Sequence, residues 1–212
     1  MDESRLNDWR PLFQRALEII DEAQKAAGQT LVWTFGGGTA LMLRYAHRYS
    51  HDVDIFVPDP QWLGYLSPRL NLAAERLCDQ FVEASTFLKL SFAEGEIDFV
   101  ATGWLTEHPW RIEPHFGRPI RVEVAAEIIG KKLHYRGAEF TARDLFDLAT
   151  VLDLEPDALR QIRPMIRDKS SAILERMIRN REVVQLEYEA LERFHGERSF
   201  ERCLTILREH VL

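Results

Sequence analysis

The residues best suited to chemistry form a short run, His51-Asp52-Val53-Asp54-Ile55, in which acids alternate with apolar side chains. Alternation of this kind marks a strand with one buried face, and it puts Asp52 and Asp54 on the same side, where they can share one cation. Without a positive charge between them, the two carboxylates would repel. A hard divalent ion takes oxygen ligands and keeps positions open for water and substrate phosphates, which is what phosphoryl or nucleotidyl transfer requires. Solvated strand faces also carry paired acids, so the pair needs support from its neighbours. Shortly upstream, Gly36-Gly37-Gly38-Thr39 joins a β-favouring stretch at 31–35 to a helix-favouring one at 39–44. Amides freed by glycine at a helix N-terminus form a cradle for an anion such as a triphosphate, and Thr39 adds a hydroxyl donor. The plainer alternative is a tight strand-to-helix turn with Thr39 as the cap.

These groups need a scaffold, and the surrounding sequence supplies one. Leu12, Phe13, Ala16, Leu17, Ile20 and Ala23 recur at spacings of three and four, which predicts a helix over 9–27 ended by Gly28. Residues 52–57 read as a strand stopping at Pro58, residues 70–82 as a helix, and 87–92 with 97–101 as a β-hairpin about Ala-Glu-Gly-Glu. One more strand is expected at 118–124. From Ala125 onward helix formers and charges dominate, with an apolar stripe of Leu145, Leu148, Ala149 and Leu152 inside 141–154. Pro156 should end that helix and Pro164 should break or kink the next, with helices again over 169–194 and 200–212. The expected organisation is a mixed-sheet domain over 1–124 followed by a helical domain over 125–212.

Composition narrows the partners. At 212 residues and 46% hydrophobic content the chain can bury a substantial core, and a net charge of -7 leaves room only for a local basic face toward any nucleic acid. Cys78 and Cys203 are far apart with no metal-type spacing, and are expected to be buried free thiols. The start of the chain lacks a signal-peptide pattern, and the most apolar stretch, 31–43, is short and broken by glycines. A cytoplasmic location without membrane contact is therefore expected.

Taken together, Gly37-Gly38-Thr39-Ala40-Leu41 followed by Arg48-Tyr49-Ser50-His51-Asp52-Val53-Asp54-Ile55-Phe56 resembles the AbiEii/AbiGii toxin family of nucleotidyltransferases, a branch of the polymerase-β-like superfamily. The likeness continues through Ala126-Glu127-Ile128-Ile129-Gly130-Lys131-Lys132-Leu133 and Arg143-Asp144-Leu145-Phe146-Asp147-Leu148, which are similar to that family's lysine and Arg-Asp-x-x-Asp motifs. It spans about residues 31–154.

This resemblance implies an α+β fold: a polymerase-β-like domain with a small mixed or antiparallel sheet flanked by helices, then a helical C-terminal domain. It implies Mg²⁺ or Mn²⁺ held by Asp52, Asp54 and a third acid, for which Asp98 in Glu96-Ile97-Asp98-Phe99-Val100 is the candidate and Glu96 the fallback. Gly37, Gly38 and Thr39 would bind the nucleotide phosphates, with Arg48 and Ser50 beside them. Lys132 would contact the triphosphate, because the family's lysine precedes a leucine. Relatives commonly carry an acid where this chain has Lys131, so that departure leaves Lys131 open as an alternative. Asp144 would complete the catalytic set, or Arg143 and Asp144 would serve as a cap or ion pair. His-Asp also opens a phosphohydrolase metal motif, but His47, His108, His115 and His134 offer no companion pattern.

The activity implied is transfer of NMP from an NTP to an RNA, such as a tRNA end, or to a protein hydroxyl. As a toxin in a type IV toxin–antitoxin or phage-defence system, the protein would have a cognate antitoxin. The competing reading is a catalytically inactive domain of the same fold that works by binding a protein partner; the intact aspartates and glycine turn argue against it.

Overall fold

The computed structural model describes residues 3–194 and 198–210. After a short 3₁₀ segment, α1 (Arg10–Ala27) buries Leu12, Phe13, Ala16, Leu17, Ile20 and Ala23 and stops at Gly28, whose φ of 66° is left-handed. Then come β1 (Thr34–Gly36), α2 (Gly37–Tyr45), β2 (Val53–Val57), α3 (Trp62–Leu66) and α4 (Leu72–Leu77). The strands β3 (Gln80–Glu83), β4 (Phe87–Phe92), β5 (Gly95–Ala101), β6 (Trp110–His115) and β7 (Arg118–Glu123) follow. The chain ends in helices α5 (Ala125–Arg136), α6 (Ala142–Leu154), α7 (Arg163–Arg179), α8 (Arg181–Glu189) and α9 (Phe200–Glu209). This is the α+β class expected from the sequence.

Among the described residues the strands form one mixed seven-stranded sheet of order β3-β4-β5-β2-β1-β7-β6. Its centre explains the alternation in β2. Val53, Ile55 and Val57 are fully buried, and Ile55 stands opposite Phe35 of β1 and Phe99 of β5. That face packs under α1, where the Phe13 and Phe35 rings lie 4.8 Å apart and Trp9 stacks on Phe35 at 5.5 Å. The opposite face carries a cross-strand row, Lys89, Asp98, Asp54 and Gly36, each in register with the next. Against this second face lie α2 and α5. The hydrophobic core is continuous from α1 through the sheet to α9.

Three local expectations are corrected. Residues 70–82 are not one helix: α4 ends at Leu77, and Gln80–Glu83 is the edge strand β3, paired with β4. Phe81 and Val82 favour strand, and a ladder to β4 outweighs the helical spacing that precedes them. Pro164 begins α7 instead of breaking it, because an N-terminal helix position has no intrahelical use for the missing N–H. The long helix expected over 169–194 is interrupted at Asn180 and closes at Glu189. Residues 211–212 of the last expected helix lie outside the described residues. Neither Cys78, half-buried, nor Cys203, buried, is in a disulfide. No helix among the described residues is long and apolar enough to cross a membrane.

Candidate active site

A cavity of about 370 Å³ opens between the second face of the sheet, the start of α2, α5 and the start of α6. Gly37, Gly38, Arg48, Ser50, Asp52, Asp54, Asp98, Lys132 and Asp144 all line it. Thr39 does not. It is fully buried, and its hydroxyl lies 2.6 Å from the Asp52 carbonyl and 3.1 Å from Ser50 Oγ, so it braces the loop ahead of β2. A larger surface groove, about 690 Å³, lies between α1 and α4, but its charges are already paired, Glu18 with Arg76 and Asp21 with Arg118.

Strand register builds the acidic floor. Asp54 and Asp98 are directly paired on parallel neighbours, and strands about 4.8 Å apart bring two such carboxylates within reach of one ligand. Burial raises the affinity of both for protons, and for Asp98 burial acts first and the Asp54 carboxylate second, lifting its pKa to about 6. Asp54 is raised chiefly by burial, against the pull of Lys132. Asp98 Oδ1 is buried with no hydrogen-bond partner. Asp52 is held by the Glu96 amide at 3.0 Å. Lys89 spans Glu96 at 2.5 Å and Asp98 at 3.5 Å. Among the described residues no group of three or more His, Cys, Asp or Glu side chains stands together in an arrangement that could by itself hold a metal ion. An orphaned buried carboxylate oxygen beside a second carboxylate nevertheless fits a hard cation that takes its other ligands from phosphate and water.

The glycine turn explains itself sterically. Gly37 has φ of +69°, and a Cβ there would fall on the Asp54 carboxylate. At Gly38 a Cβ would meet Arg48 Nη2 at 2.7 Å and Ser50 Oγ at 2.9 Å. Arg48 cannot easily give way: it is 4% exposed and grips Asp147 through Nε at 2.7 Å and Nη2 at 2.9 Å. Gly37→Ala should therefore cost about 1–2 kcal/mol from the left-handed backbone alone and disturb Asp54 as well. Gly64→Ala, where added bulk meets open space, should leave stability and nucleotide affinity unchanged or slightly raise stability. Urea unfolding and NTP titration of the two variants check this pair, and equal behaviour would remove the close approach of the turn to Asp54.

The opposite wall comes from α5 and α6. Lys132 Nζ sits 2.6 Å from Asp144 and 3.1 Å from Asp147. Arg136 joins Asp144 at 2.7 Å, and Thr141 and Asp144 form a capping box at the start of α6. Burial would raise Asp144, but Lys132 and Arg136 overcome it and hold its pKa down to about 2. Lys131 also reaches the cavity, yet its ammonium is committed elsewhere: Glu123 at 2.5 Å, Glu127 at 3.5 Å, and the face of Phe56 at 3.8 Å. Glu123 is pushed up to about 7, by burial first and against Lys131.

Several contributors were not picked out from the sequence. Lys89 and Arg136 line the cavity along with Phe56, Val100, Ile128 and Tyr135. Lys89 carries a signal in hindsight, as the polar member between Leu88 and Leu90 on β4. His47, Arg48 and Asp147 form a buried cluster, with His47 Nε2 2.7 Å from Asp147. Burial lowers the pKa of His47, so the neutral ring donates its Nε2 proton to Asp147.

A family model described as nucleotidyl transferase AbiEii toxin, type IV TA system, matches residues 22–203. The chain belongs to the AbiEii nucleotidyltransferase toxin family. Among solved structures it is similar to JHP933 from Helicobacter pylori, at 15% identity over 100% of this chain and 93% of that chain, with a TM-score of 0.53. It also aligns with MenT4, a nucleotidyltransferase toxin from Mycobacterium tuberculosis, at 15% identity over 99% of this chain and 84% of that chain, TM-score 0.47. No curated protein matches it. As an AbiEii member the protein is a nucleotidyltransferase of the type IV toxin–antitoxin class, and the family match extends from α1 into α9, well beyond the sheet.

Proposed function

We propose that this AbiEii protein transfers NMP from an NTP to an RNA acceptor, such as a tRNA end, or to a protein hydroxyl, with Mg²⁺ or Mn²⁺ as the ion. The observation that carries the reading is the register row in which Asp98, Asp54 and Gly36 stand side by side under the glycine turn. Asp52, Asp54 and Asp98 would hold the ion, which supplies charge neutralisation for the triphosphate. The amides of Gly37 and Gly38 and the Ser50 hydroxyl take phosphate oxygens, while Thr39 and Arg48 fix the loop that presents them. In the transfer, the acceptor oxygen bonds to the α-phosphorus, the bond to the β-phosphate oxygen breaks, and pyrophosphate leaves. Asp98, in register beside Asp54 at the site of transfer, would receive the hydroxyl proton.

On this reading residues 1–124 carry the phosphates and carboxylates, and residues 125–212 close the cavity and bring Lys132 and Asp144. Lys132 is the better placed of the two lysines, since it faces the acids of α6 at the cavity wall while Lys131 is locked onto Glu123. Triphosphate oxygens would draw Lys132 from Asp144. Lys132→Ala should lower kcat/KM for NTP about 10²-fold, the usual scale for removing one charged donor from a preorganised site. Lys131→Met should mainly lower the unfolding midpoint, with transfer within about tenfold of wild type. Incubation with each α-labelled NTP, Mg²⁺ or Mn²⁺, and total RNA or cell lysate tests the activity and the acceptor together. Label transferred to RNA or to protein identifies the acceptor, and no transfer under any of these conditions argues against the reaction. Co-expression with the product of an adjacent gene tests for the antitoxin.

A further inference from the structure

The cavity has an apolar end that phosphate and metal chemistry leaves unused. Along β2 and β5, the row after Asp54 and Asp98 pairs Phe56 with Val100, and both side chains line the cavity. Two residues of strand separate the rows by about 6.6 Å. Above them α5 turns Ile128, Lys131, Lys132, Tyr135 and Arg136 into the cavity, the spacing of one helical face. Phe56 has Lys131 Nζ over its ring and serves as a floor. Tyr135 differs. It is 60% exposed, yet its hydroxyl is hydrogen-bonded to Thr102 Oγ1, and Thr102 is buried and anchored through its amide to the Val57 carbonyl at 2.8 Å. That tether stands at the Phe56 end of the strands. The ring is thus fixed at its tip while most of its surface stays open, so aromatic surface is in place before a ligand arrives and little side-chain freedom is lost on binding.

We propose that Tyr135 is the stacking platform for a nucleobase seated at the Phe56–Val100 end of the cavity. This rests on the nucleotidyltransfer reading. With phosphates at the Gly37–Gly38 and Asp54 end, the ribose spans one strand row and the base reaches the next. The base belongs to the incoming NTP or to the terminal nucleotide of an RNA acceptor; the chemistry is the same, a π-face laid on an aromatic ring with Lys131 and Arg136 nearby. Because every base has a π-face, Tyr135 gives affinity without choosing among bases.

The test compares wild type, Tyr135→Ala and Tyr135→Phe by calorimetry in MgCl₂ with each of the four NTPs, a short single-stranded RNA, and inorganic tripolyphosphate. Tyr135→Ala is expected to weaken either the NTPs or the RNA by roughly 5- to 150-fold, the range for one lost stack. Loss on the NTPs assigns the base to the donor, and loss on the RNA assigns it to the acceptor. Tripolyphosphate affinity should not change, and Tyr135→Phe should keep most of the affinity because the ring remains. Unchanged affinity of Tyr135→Ala for all NTPs and for RNA, with wild type binding NTP, overturns the platform alone. Equal losses for tripolyphosphate, or a Tyr135→Phe loss as large as that of alanine, overturn it too by showing that the Thr102 tether acts on the fold. Wild type that binds no NTP overturns the nucleotidyltransfer reading first and the platform with it.

Discussion

Asp54→Ala should reduce nucleotide transfer about 10³-fold or more, because a carboxylate that anchors the ion contributes several kcal/mol to the transition state. The same change should not lower the unfolding midpoint in the presence of a chelator. Asp54 lies beside Asp98 in register; burial raises the proton affinity of both carboxylates, with Asp52 adding to it at Asp54 and Asp54 adding to it at Asp98, so the folded chain carries unfavourable charge there when no cation is bound. Removing one member relieves that repulsion and leaves the buried partners of β2, Val53 and Ile55, untouched. A labelled-NTP transfer assay and thermal unfolding in EDTA are read on the same preparation. Wild-type transfer by a folded Asp54→Ala protein would sink the assignment. If that variant does not fold, Asp52→Ala takes its place, since Asp52 is half-exposed at the mouth of the site and bears no core packing.

Much of this floor was legible in the sequence, because a strand's period of two is local. The alternation through Asp52 and Asp54 specifies which side chains share a face, and Glu96-Ile97-Asp98-Phe99 repeats the pattern. Likewise the stop at Gly28 follows from one residue able to adopt a left-handed φ. What the sequence does not carry is pairing between distant segments. The edge strand β3 looked helical because Leu72, Ala73 and Ala74 begin a helix that Phe81 and Val82 do not continue, and only β4 reveals where it ends. The strand β6 was not foreseen, since prolines at 109 and 114 interrupt its pattern, yet it pairs fully with β7 at the sheet edge. The cavity wall follows the same logic. The helical spacing of Ile128, Lys131, Lys132 and Tyr135 was available, but that this side faces the carboxylates depends on the crossing of α5 over the sheet. The choice between the two lysines turned on Glu123, eight residues before Lys131, whose buried carboxylate captures it.

Asp147 shows how far a contact can lie beyond local pattern, and it supports the second large effect. The Arg-Asp-x-x-Asp motif names the residue but not its partners, two of which, His47 and Arg48, sit about a hundred positions earlier in the loop before β2. Its Oδ1 accepts from His47 Nε2 and Arg48 Nε, each at 2.7 Å, and its Oδ2 from Arg48 Nη2 at 2.9 Å and Lys132 at 3.1 Å. One fully buried carboxylate thus ties the loop before β2 to both α5 and α6. Asp147→Ala should cost about 3–5 kcal/mol, the scale for stranding a buried charge, here Arg48. Asp147→Asn should cost less because it keeps hydrogen-bond acceptance. A double replacement, Asp147→Leu with Arg48→Met, should recover much of the alanine loss, since it is the lone charge and not the absent pair that destabilises. The pH dependence has a fixed sign. Burial alone would raise the proton affinity of Asp147, but Arg48, Lys132 and His47 together hold its pKa well below the ordinary value of 3.8. The unfolded chain then binds the proton first, so the stabilisation is present above about pH 4 and is lost as pH falls below it. Chemical unfolding between pH 3 and 7 should show a steeper acid loss for wild type than for Asp147→Asn. An Asp147→Ala protein with the wild-type midpoint at neutral pH would refute the view that this carboxylate joins the loop before β2 to the helices that close the site.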